Sequence, residues 1–191
     1  MHPAEHRGLR ELYATARRLR DHWRTLAGRL DGRAPAPAAL LREGSDDARA
    51  LLGELTAVTA ARGLYGRPLA EGMGARLAAM QSTLLDTSLE VNQALRIAVL
   101  DVVHVATLLD YLAALARSDQ DAELEAFAGA WASRLREREE AIRAAAVALG
   151  EAPDAAIAPA APGLAGRLGH GAAMAVGTAG EWVDGRAGRA R

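Results

Sequence analysis

Residues 95–115, LRIAVLDVVHVATLLDYLAAL, limit what this chain can fold into more than any other stretch. Drawn as a helix, the run carries apolar side chains at nearly every angle rather than along one stripe. A helix that is apolar all round belongs inside a helical bundle. Asp101 and His104 interrupt the run, which leaves too few clean apolar positions for a bilayer span of about 20 residues. The stretch therefore predicts the central helix of a bundle, enclosed by companions on every side, with no membrane span.

Composition agrees with an all-α fold. Half of the 191 residues are apolar, enough for one core, and much of that half is Ala, the strongest helix former. Strand-forming residues never alternate in runs separated by hairpin turns. A formal charge of −1 excludes a general nucleic-acid binder. All 23 basic residues are Arg, which together with the Ala and Gly content reads as the coding bias of a GC-rich bacterial genome. There is no Cys, so disulfides, thiolate metal sites and Cys nucleophiles are excluded. The opening MHPAEHRGLRELY has no apolar signal core, and a cytoplasmic setting is expected.

Helical periodicity fixes most of the layout. Leu9, Leu12, Ala16, Leu19, Trp23, Leu26 and Leu30 step by three and four, giving a first helix over residues 4–30. Arg10, Arg17 and Arg24 fall seven apart on its outer face. They are read as a solvated face lying beside the acidic stretch 118–162, the alternative being a stripe for a phosphate or anionic partner. Residues 34–44, APAPAALLREG, read as a Pro/Ala connector. Ser45 then caps a second helix that ends at Gly63, with Asp46 and Asp47 in its first turn. From Pro68 the heptad pattern runs to Arg117 without a break. One helix of about 50 residues would be about 75 Å long, so a break is expected near residues 81–88, where Thr87-Ser88-Leu89-Glu90 matches a capping box. A fifth helix over residues 122–149 carries Leu124, Ala128, Trp131, Leu135, Ile142 and Leu149 on its seam, with Arg138 as a charged exception. The expected organisation is an antiparallel bundle of four to five helices over 4–149, a Pro/Ala linker over 150–163, and a Gly-rich C-terminal helix or tail over 164–191.

Asp101-Val-Val-His104 is the constellation that bears on chemistry. At i and i+3 both side chains share a helix face with Glu90, and a transition metal is the cofactor such a set would take. The motif resembles half of what the ferritin-like family uses, in which a carboxylate-x-x-His pair faces into the bundle. That family has Glu-x-x-His on two helices and a lone Glu on two more, whereas here the motif carries Asp and occurs once. The resemblance implies a metal held by Glu90, Asp101 and His104 in a redox or storage role. The structural reading instead pairs Asp101 with Arg138 as an ion pair between helices, or with Arg96, or has it orient His104 directly, because a buried carboxylate needs a partner. No phosphate loop, Ser elbow or His-Glu-x-x-His helix is present, so no catalytic residue is assigned. Met73, Leu77, Met80 and Leu84 form a seam suited to an interface, with Trp182 as a second anchor. The expectation is a non-enzymatic bundle that acts by forming a homo-oligomer or binding another helical protein.

Overall fold

Pro3 opens α1 (Pro3–Leu30), where a missing N–H costs nothing, and His2 accepts the Ala4 N–H ahead of it. The expected seam is buried throughout: Leu9, Leu12, Ala16, Leu19, Trp23, Leu26 and Leu30 are all sealed from solvent. Each large side chain buried in this way contributes roughly 1.5–3 kcal/mol. The computed structural model describes residues 2–64 and 89–160. Within them four long helices form an all-α bundle: α1, α2 (Pro35–Ala61), α3 (Val91–Ser118) and α4 (Ala122–Ala148). A 3-10 turn (Leu149–Glu151) and a single helical turn (Pro153–Ala156) follow. Residues 158–160 lie back on the start of α3, where Ala158 C=O accepts from Val91 N–H and Ala160 N–H donates to Leu89 C=O.

The second helix starts eleven residues earlier than the Pro/Ala composition suggests. Pro35 sits in the first turn, where proline is tolerated, and the chain stays helical through Gly44 and Ser45. Ser45 is therefore not a cap. It is buried in mid-helix, and its hydroxyl donates to the Arg20 carbonyl of α1 at 2.9 Å. Gly44 is needed because the Trp23 ring of α1 lies directly over it; a Cβ there would stand 2.0 Å from Cζ3.

The expected break before α3 falls at Glu90, three residues beyond the sequence match at Thr87. Glu90 is the N-cap, and its N–H donates to Gln93 Oε1 at 3.2 Å. Residues 91–118 are thus a helix of their own. Gln120, with φ 58, makes the turn into α4, and Asp121 caps α4 by accepting the Leu124 N–H at 3.0 Å.

α1 packs on α2 and α3, and α4 packs on α3 and α2, so α1 and α4 occupy opposite corners. Cross-helix contacts run antiparallel at all four seams: Glu5 at the start of α1 meets Arg62 past the end of α2, Glu11 and Arg18 meet His104 and Asp101, Glu43 and Glu54 meet Arg138 and Trp131, and Asn92 meets the Ala146 carbonyl. The helices therefore run up, down, down, up in chain order. The connection from α2 to α3 joins opposite ends of the bundle.

This arrangement corrects two expectations. α3 is not enclosed on every side: Leu100 is 68 % exposed and Tyr111 is 48 % exposed, on a face opposite Leu95, Val102, Val105, Leu109 and Leu112. By length and composition α3 could cross a membrane, but just over half of its most apolar stretch is buried in the bundle, as in a core helix. The Arg10, Arg17, Arg24 face, in turn, does not lie beside the acidic helix, because α1 and α4 are diagonal. Pro68, the seam Met73, Leu77, Met80, Leu84, the tail 164–191 and Trp182 lie outside the described residues.

Candidate functional site

Each of the two seams between hairpins is fastened by one buried aspartate. On the α1–α3 seam, Asp101 accepts from Arg18 Nη2 at 2.8 Å and from His22 Nδ1 at 2.5 Å. On the α2–α4 seam, Asp47 accepts from Arg134 at 2.5 Å and from Arg138 at 2.6 Å. In both cases the donors are four apart on one helix, so consecutive turns present them to the same carboxylate. Asp101 stands ten residues into α3 and Asp47 twelve into α2, which puts both about 15–18 Å below the same end of the bundle. A third junction closes the other end. Arg62, just past α2, reaches Glu5 of α1 at 3.3 Å and also the Asp121 carboxylate that caps α4.

The electrostatics follow from these contacts. Burial alone pushes the Asp101 carboxyl up; the hydrogen bond and charge of His22, then those of Arg18, more than reverse this and hold it below its ordinary value. Asp101 is therefore ionised at neutral pH, and His22 Nδ1–H is the donor between them. Asp47 hydrogen bonding raises the Arg138 guanidinium further, against a smaller opposing effect of burial. Asp121 is lowered first by the Leu124 N–H and then by Arg62, with burial opposing.

The proposed ligand set Glu90, Asp101, His104 does not converge. Glu90 caps the start of α3, eleven residues from Asp101. Asp101 is buried and committed to α1. His104 points outward, 57 % exposed, with Glu11 Oε1 3.8 Å from its Nε2. At 100° per residue, the step of three places Asp101 and His104 on either side of the boundary between core and solvent. The expected Asp101–Arg138 pair is likewise not formed: Arg138 bonds Asp47 and Glu43, across the other seam. The buried carboxylate does find cations, but they come from α1 and not from α4.

Sequence reasoning missed His22 as a site residue. Its signal was its place one position before the seam residue Trp23 and one turn after Arg18, which brings it to the edge of the α1–α3 contact. Its side chain is only 12 % exposed.

The connectivity, two antiparallel hairpins joined by one long crossover, is the one ferritin-like bundles use. Their donor set is not matched. Among the described residues no group of three or more His, Asp or Glu is placed to hold a metal, and at Asp101 the Arg18 guanidinium supplies the positive charge a metal would bring. An open groove of about 250 Å³ between α1 and α2 is lined by Arg24, Ala27, Gly28, Arg42, Ser45 and Asp46. Its hydroxyl, Ser45, is occupied by the Arg20 carbonyl. No protein-family model, curated protein or solved structure matches the chain.

Proposed function

We propose that this four-helix bundle is a non-enzymatic protein that works by associating with another helical chain, its own copies first. One observation carries the reading: the buried groups best suited to chemistry, Asp101, Asp47 and Glu5, are each bound by cations of a neighbouring helix or its end. Charges held in this way set which helix face meets which, and they are costly to disengage for proton transfer or metal ligation. What the bundle offers to other molecules is then its outer faces. The all-Arg composition, with its Ala and Gly content, supports a bacterial source with a GC-rich genome.

Light scattering on the purified full chain tests the reading. The mean mass should rise above that of one chain as concentration increases. A mass fixed at one chain up to millimolar concentration would contradict it.

A further inference from the structure

The faces of α1 and α4 that point away from the core carry opposite charge in matching patterns. On α1 the outward positions are Arg7, Arg10, Ala14, Arg17, Asp21 and Arg24, all exposed or half-exposed. On α4 they are Glu123, Ala126, Ala130, Ser133, Glu137 and Glu140, all exposed. Both sets step by 3, 4, 3, 4, 3, and both lie diametrically opposite their helix's buried seam. The α1 stripe carries a surplus of three positive charges and the α4 stripe three negative ones.

Within one molecule these stripes cannot meet, because α1 and α4 sit at diagonal corners. Among the described residues Arg7, Arg10, Arg17, Glu123, Glu137 and Glu140 make no ion pair, and Arg24 has only a loose, exposed one to Asp46 at 3.9 Å. Asp21 is paired with Arg20 beside it, and the described residues leave the Arg of one stripe and the Glu of the other otherwise unanswered.

We infer that the α1 outer face of one copy docks antiparallel on the α4 outer face of a second copy. In that direction one register places Arg7 on Glu140, Arg10 on Glu137 and Arg24 on Glu123. The same register sets Ala14 on Ser133, Arg17 on Ala130 and Asp21 on Ala126. No like charges face each other, and the small residues in the middle let the two helices approach closely. In the parallel direction no single register brings the three Glu onto three of these Arg.

The symmetry follows from the fold. α1 and α4 point the same way within a copy and lie at opposite corners, so each docked pair leaves one free α1 and one free α4. The contact is heterologous and does not close on two copies. Successive copies alternate up and down, and growth is open-ended. This surface rests on the reading that the protein works by association, and it names both the partner and the recognition chemistry.

Sedimentation velocity on the full chain and two charge-reversed variants tests it. Wild type should form a concentration-dependent series at low salt that collapses toward one copy at about 0.5 M salt, where the screening length is only a few ångströms. Arg7→Glu/Arg10→Glu and Glu137→Arg/Glu140→Arg should each be single copies at all salt concentrations, with helical circular dichroism unchanged because every altered side chain is outward. Mixing the two variants should restore the series, since each then supplies the face the other lacks. A mixture that stays unassociated overturns the inference. Wild type that associates while both variants associate equally well also overturns it, and leaves association through another face standing. Wild type that is a single copy throughout overturns this surface together with the reading beneath it.

Discussion

Gly44→Ala should destabilise the protein although it replaces the weakest helix former but proline with the strongest. The helix propensity gain is about 1 kcal/mol. Against it, the new Cβ would lie 2.0 Å from Trp23 Cζ3 and 2.3 Å from Cε3, both atoms of a rigid ring that is fully buried. Restoring ordinary contact near 3.4 Å moves this fully buried ring by about 1.4 Å. Overpacking of this kind costs typically 1–3 kcal/mol, and a ring that cannot bend away falls at the upper end. The net loss is then about 2 kcal/mol. Gly53, nine residues later on the same helix, has nothing within 4 Å of its virtual Cβ, so Gly53→Ala should gain about 1 kcal/mol. Urea denaturation of the two variants reads the opposite signs directly. Trp23→Leu should relieve the clash, so that Gly44→Ala costs much less in that background. If Gly44→Ala stabilises as Gly53→Ala does, residues 35–44 do not form a helix packed under Trp23.

Gln120 holds a left-handed backbone at φ 58, a conformation that costs a non-glycine residue roughly 1 kcal/mol; Gln120→Gly should raise the urea midpoint, and a lowered midpoint would show that its side chain contributes more than the strain. Asp121→Ala removes the cap of α4 together with one Arg62 partner and should cost about 1–2 kcal/mol, read as a loss of thermal midpoint that Asp121→Asn largely spares. Because the Asp101 and Asp121 carboxyls are held below their ordinary value, near 3.9 unfolded, the stability they contribute is complete above that value and is lost as pH falls through their lower folded values. Urea midpoints from pH 7 to pH 2 should therefore fall mainly at the acid end, and Asp101→Asn should show a shallower acid loss than wild type; an identical acid loss would mean that Asp101 is not held ionised by α1.

Helix faces were legible in the residues, and helix neighbours were not. The α1 seam from Leu9 to Leu30 and the α4 seam at Leu124, Ala128, Trp131 and Leu135 are buried as their spacing requires. Periodicity says which side of a helix is apolar, but it does not say which helix covers that side. The long crossover sets α3 against α1 and α4 against α2, so Asp101 takes Arg18 and His22 while Arg138 goes to Asp47. The start of α2 was hidden for a related reason. Pro35, Pro37, Gly44 and Ser45 argue locally for a connector, and the contacts that make them helical, the Trp23 ring and the Arg20 carbonyl, come from another helix. At α3 the error lay in the pattern itself: Leu100 and Tyr111 are as apolar as their buried neighbours, and only the packing shows that they face outward.

That one aspartate fastens each seam between the hairpins is tested most directly by double-mutant cycles in urea on three pairs: Asp101 with His22, Asp47 with Arg138, and Asp101 with Arg138. A bond from a charged group contributes about 1.5–3 kcal/mol, so the first two pairs should show coupling of that order and the third should be additive within about 0.5 kcal/mol. Coupling between Asp101 and Arg138, or additivity in the first two pairs, would mean that the hairpins are not held by these aspartates.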